Sequence, residues 1–304
     1  MKTANMARPP VVAIIAGALL ALIIIACAAA PLIAPYGMSE QNLKDSLASP
    51  SAKHLLGADK MGRDLFTRIL YGGRVTLISA VGVVTLSAVI GIPLGLISGY
   101  FGGMLDAIVS RFCDMLIAFP SLLLALVLVF AFGRGLGGAV VAMGIAFVPM
   151  LVRVVRSLTL VEKNKTYVEA ARSIGFSPMY IIFKHIFPNC AATIAVQFAL
   201  DLGYAILSLA GLSFLGLGVQ PPTADWGAML SEGRDFLLPA PWLALCPGLV
   251  IVLSVLCINT LCDGIQQYLD PAQQPLPSFR RREKPLEAAE VRAANLKEGA
   301  ARGE

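Results

Sequence analysis

Residues 166–189 read TYVEAARSIGFSPMYIIFKHIFPN, a charged stretch flanked on both sides by long apolar runs. Its first half has helical spacing. Tyr167, Val168, Ala171 and Ile174 share one face, and Glu169, Arg172 and Ser173 lie on the other. Gly175 can end this helix in the left-handed conformation. Ser177 as N-cap and Pro178 at the first helical position favour a second start. Pro188 then punctuates the entry to the next apolar run. The stretch predicts a helix–turn–helix lying against a membrane surface, with Ala170 and Ala171 small enough for close docking.

The surrounding composition fits that setting. The 304 residues are 57% hydrophobic and only 14% charged, with a mean hydropathy of +0.76; soluble domains carry about 25% charged residues. A helix crosses a bilayer with about 20 apolar residues. Six runs meet that length: 10–34, 75–99, 108–132, 136–158, 190–215 and 242–263. The fold class is therefore an all-α polytopic membrane protein. Its parts are an N-terminus and first span (1–34), an external loop (35–74), a core of spans 2–6 (75–269) and a Pro-, Glu- and Arg-rich tail (270–304) expected to be disordered. IIAC at 24–27 looks like a lipoprotein cleavage box. The run around it is too long for a signal-peptide core of about 7–15 residues, so an uncleaved span is expected. The six cysteines form no CxxC pair and read as small buried residues.

Six spans put both termini on one side. The tail's FRRREK and the basic residues of 153–184 fall on that same side, which the positive-inside rule makes cytoplasmic. Segment 35–74 holds several Lys and Arg residues although it is placed outside, which runs against the rule. With so apolar a chain, the net charge of +5 marks cytoplasmic loops and membrane lipid rather than nucleic acid.

The stretch EAARSIGFSPMYIIFKHIFPN resembles the EAA loop of ATP-binding-cassette importer permeases. Glu169, Ala170, Ala171, Gly175, Ile186 and Pro188 occupy that pattern. The resemblance extends along the chain. HLLGADKMGRDLFTRILYGGRVTL (54–77), GLISGYFGG (95–103), AFPSLLLALVLV (118–129), LSFLGLGVQPPTADWGAMLSEGRDF (212–236) and CDGIQQYLDP (262–271) are similar to the second, C-type permease of the dipeptide/oligopeptide/nickel importer family. The tail after Pro271 extends past the expected common core. The resemblance implies a cytoplasmic coupling helix between spans 4 and 5 that seats on an ATPase subunit. It also implies a homologous second permease subunit, two ATPase subunits that carry ATP and Mg2+, and an extracytoplasmic solute-binding protein. This chain would bind no cofactor or metal itself. The location implied is the bacterial plasma (inner) membrane, with short peptides as cargo and nickel or a metal–chelator complex as the alternative.

Charges inside spans mark functional candidates. Asp201 has Gln197 and Tyr204 on its face at i−4 and i+3. Either the three line a translocation path, or Asp201 is a structural residue, neutral or paired with a partner's basic group. Arg111 and Asp114 are spaced for an ion pair, and Arg153 and Arg156 read as interface anchors. Trp226 and Gly227, in an external loop, are candidates for contact with the binding protein. His54 and His185 fall on opposite sides and cannot share a metal. The sequence holds no phosphate loop, no H-E-x-x-H and no G-x-S-x-G elbow, so the chain is not expected to be an enzyme. A stand-alone secondary transporter would predict inverted repeats or paired broken helices, which the sequence does not display.

Overall fold

The computed structural model describes residues 11–269. The tail discussed above lies outside the described residues. Helix α1 is Val11–Ala28, followed by the short α2, Ala30–Ile33. An irregular segment leads to α3, Leu65–Phe101, then α4, Gly103–Ile117, α5, Ser121–Phe132, and α6, Leu136–Glu162. The helix–turn–helix follows as α7, Thr166–Ser173, and α8, Pro178–Ile181. A π turn, Ile182–Ile186, joins α8 to α9, Phe187–Phe214; α10 is Trp226–Arg234 and α11 is Trp242–Leu269.

Among the described residues, five helices are long and apolar enough to cross a membrane: α1, α3, α6, the continuous Pro178–Phe214 and α11. The pair α4–α5 passes the same test as a unit bent by 94°, which makes six spans when the pair counts as one. The register between α3 and α6 requires that count. Gly82 faces Val140, Gly91 faces Leu151, Gly95 faces Val155 and Gly99 faces Thr159, so the two helices run parallel. The chain between them must cross back, and α4–α5 is what crosses. The parallel pair is close because Gly91, Gly95 and Gly99 form a small-residue stripe at four-residue spacing. A Cβ on Gly95 would sit 2.7 Å from Val155 Cβ and 2.9 Å from the Val152 carbonyl.

Three sequence expectations are corrected here. The run 108–132 is not one straight helix. Residues 118–120 break it, and Pro120, extended and without an N–H, sets the N-terminus of α5. The irregular part of the segment expected as a loop over 35–74 does not reach residue 74. It ends at Asp64, whose carboxylate accepts from the Thr67 N–H at 2.8 Å and starts α3 ten residues before the expected span. With 37 residues, α3 is about 55 Å long, against about 30 Å of hydrocarbon, so its polar first turns project beyond the bilayer. Finally, Pro188 does not break the entry to span 5. The π turn ahead of it, closed by the Phe187 N–H on the Ile182 carbonyl, loosens the ladder and lets the helix run from Pro178.

The expected Arg111–Asp114 pair is also replaced. Asp114 lies 2.6 Å from Arg153, and Asp106 takes the guanidinium of Arg156, so these two arginines staple α4 to α6. Both bonds join two separate helices, where a reading along a single helix does not look.

At the other end of the bundle a cap closes over α3, α10 and α11. Asp59 accepts from Arg63 Nε at 2.6 Å and from Arg68 Nη1, while Glu232 on α10 accepts from both arginines. Two buried cations thus meet two carboxylates, so Arg63 and Arg68, two of the basic residues of segment 35–74, are neutralised within the fold. His54 packs on Tyr36 and lies 2.9 Å from Asp64.

Candidate functional site

The helix–turn–helix is built by local chemistry. Gly175 has φ +92°. Its N–H bonds the Arg172 carbonyl and the Phe176 N–H bonds the Ala171 carbonyl, the paired bonds of a Schellman ending. Ser177 then accepts from the Tyr180 N–H. The buried face is Val168, Ala171, Ile181, Ile182 and Ile186, packed on Leu96, Leu151 and Val155 of α3 and α6. Polar ties complete the seat. Tyr167 donates to Glu162 at 2.6 Å and accepts from Asn189, and Lys163 donates to the Gly99 carbonyl. Burial and then the Glu162 hydrogen bond push the Tyr167 phenol up to about 12, so it remains a donor at any physiological pH.

Of the six pattern residues, Ile186 and Ala171 are core, while Glu169, Ala170, Gly175 and Pro188 are exposed. Ile174 is not on the buried face, as its spacing had suggested; it is 74% exposed. It joins Phe176, Met179, Tyr180 and Phe183, all exposed, with Phe176 stacked on Tyr180 at 4.8 Å. The helical spacing of 176, 179, 180 and 183 is the sequence signal for this patch. A fixed loop therefore presents an unpartnered aromatic patch beside Glu169 and Gly175, the kind of surface that marks a protein contact.

The second site is a cavity of about 440 Å3. One wall is the α4–α5 elbow, with Ile117, Phe119, Pro120 and Ser121; another is Ala146, Phe147 and Met150 of α6. The third is α9, which contributes Gln197, Asp201, Tyr204 and Ser208. The three residues singled out from the sequence do line one space. The bend that makes room for it did not show in the hydropathy. Asp201 Oδ1 accepts from Gln197 Nε2 at 2.8 Å, and Tyr204 is largely exposed.

Trp226 and Gly227 do not face outward. Trp226 is fully buried, its indole N–H donating to the Ile69 carbonyl at 2.9 Å. A Cβ on Gly227 would sit 2.4 Å from the Ala210 carbonyl oxygen. Both residues lock α10 onto α3 and α9, so neither offers a surface to a binding protein. The large apolar ring follows the Asp225 N-cap and is drawn inward where α10 begins. His54 lies in the cap and His185 in the π turn, and no group of three metal-ligating side chains occurs among the described residues.

Residues 91–274 match the family described as binding-protein-dependent transport system inner membrane component. The chain belongs to that family. Residues 11–50 of this permease also match the N-terminal transmembrane domain of oligopeptide transport permease C. The permease is 44% identical over 261 residues to the glutathione transport system permease protein GsiD of Pectobacterium atrosepticum, covering 86% of this chain and 87% of that one. It is 44% identical over 242 residues to the dipeptide transport system permease protein DppC of Alkalihalophilus pseudofirmus, with 80% of each covered. It is 42% identical over 263 residues to the di/tripeptide transport system permease protein DppC of Pseudomonas aeruginosa, covering 84% and 86%. A solved inward-facing MetNI methionine ABC transporter chain aligns with a TM-score of 0.57 at 18% identity, covering 67% of this permease and 97% of that chain, which speaks to the fold alone.

Proposed function

We propose that this permease forms half of the membrane path of an ATP-driven importer for short peptides, with a homologous permease forming the other half. The relatives named for glutathione, dipeptides and di/tripeptides support that cargo class. In this reading the α7–α8 loop and both termini are cytoplasmic, in a bacterial plasma membrane. The cap of 35–64 and α10 faces outward, where a solute-binding protein delivers cargo. ATP and Mg2+ belong to two separate ATPase subunits.

The observation that carries the reading is the rigid loop with its free aromatic patch. Ile174, Phe176, Met179, Tyr180 and Phe183 seat on the ATPase, with Glu169 at the edge. Mechanical transmission is short. Tyr180 and Asp201 stand on one continuous helix, Pro178–Phe214, about 32 Å apart along its axis. Force applied by the ATPases at Pro178 therefore reaches the cavity wall through a single element, and the π turn at Ile182–Ile186 is where that element can flex.

The test is co-purification. The permease is expressed with its genomic neighbours and pulled down as wild type, Glu169→Arg and Gly175→Trp. Glu169 is exposed, so the fold survives Glu169→Arg; Gly175→Trp strains the left-handed turn at φ +92°, so its result counts where the variant purifies as a folded permease. An ATPase should accompany the wild type and be lost from both variants. A wild-type pull-down without any ATPase refutes the proposal.

A further inference from the structure

Among the described residues, the cavity holds one acid and no base. Asp201 is 8% exposed, yet no Lys, Arg or His lines the space around it. The two arginines on α6 are engaged elsewhere, Arg153 with Asp114 and Arg156 with Asp106. The Gln197–Asp201 hydrogen bond has a further consequence. With Nε2 turned toward the carboxylate, the Gln197 carbonyl oxygen is left as a free acceptor. The hydroxyls of Tyr204 and Ser208 follow along the same stripe of α9. Facing them are Phe119, Phe147 and Met150.

An ammonium group is the chemical complement of that stripe, having three donors, one positive charge and no acceptor. A buried carboxylate without a cationic partner is costly within a membrane, and an entering cation offsets the cost. A dehydrated divalent metal wants about six or more oxygen ligands, and a single carboxylate suits an ammonium better. We infer that Gln197 and Asp201 form a cation subsite that receives the protonated amino terminus of a peptide in transit, while the aromatic wall takes its side chain. The inference rests on the cavity lying on the import path.

The test uses the complete importer, with both permeases, the ATPases and the binding protein, in proteoliposomes. ATP-dependent uptake is measured for L-alanyl-L-alanine and for lactoyl-L-alanine, in which a hydroxyl replaces the ammonium. The quantity read is the preference ratio between the two. One binding protein serves every variant, so its own preference cancels when ratios are compared. Asp201→Asn should reduce the wild-type preference about tenfold or more, the scale of a charged hydrogen bond. Asp201→Glu should keep most of it. Gln197→Met, which removes the amide acceptor, should move the ratio the same way by less. It carries the test alone if Asp201→Asn does not assemble. Ratios within about twofold of wild type in assembled variants overturn the subsite and leave the importer reading standing. No ATP-driven uptake of alanyl-alanine by the wild type overturns both.

Discussion

Replacing Trp226 by alanine separates a core residue from a docking residue. The ring is fully buried, touching Gly73 so closely that a Cβ there would lie 2.7 Å from its Cζ2. Truncation removes about 140 Å3 of side chain, and at about 24 cal/mol per Å3 of unfilled cavity the loss is about 3 kcal/mol. The hydrogen bond to the Ile69 carbonyl adds about 1 kcal/mol. Trp226→Phe keeps most of the volume and should lose only about 1–2 kcal/mol. The assay is denaturant unfolding of the purified permease in mild micelles, with binding-protein affinity measured on the folded fraction. The expected result is a large loss of stability and an unchanged affinity. A Trp226→Ala permease of wild-type stability that no longer binds the protein refutes the burial argument.

The α3–α6 contact and the cap make two further predictions. Gly95→Ala places a Cβ 2.9 Å from the Val152 carbonyl and should cost about 1–3 kcal/mol. Gly137→Ala, with no neighbour within 4 Å, should be neutral or stabilise by up to about 1 kcal/mol; thermal denaturation of the pair checks both. Asp59→Asn leaves Arg63 and Arg68 buried with only Glu232 and should cost about 3–5 kcal/mol. The exposed Lys60→Ala should change stability by less than about 0.5 kcal/mol in the same melt.

What could be read from the sequence was what depends on near neighbours. The Schellman ending at Gly175 and the cap at Ser177 involve residues within five positions of one another, and both stand where local chemistry places them. The apolar runs likewise stand as helices because hydropathy is a property of the run itself. Features made by distant residues were not visible. Arg68 reads as an exposed loop charge until Glu232, 164 positions away, is seen beside it. Arg153 reads as an interface anchor until Asp114 is found across from it on α4. Ile174 misled for a local reason: it lies at the helix end, where the chain turns away at Gly175 and the spacing no longer describes a buried face.

The elbow lies between these cases. Pro120 was visible, and a residue before proline avoids the helical region, but proline in a membrane span is often tolerated by its neighbours. What decides the outcome is packing. Cys113 settles against Val148 and Val152, while Ala125 and Val129 join the central core cluster. The two halves of the run thus pack against different parts of the molecule, and one straight helix cannot reach both. The space left at the bend is then lined by Asp201, the acid that stood out in the sequence on charge alone. A carboxylate can be found by its cost in an apolar run. The cavity that gives it something to do depends on how α4, α5, α6 and α9 meet.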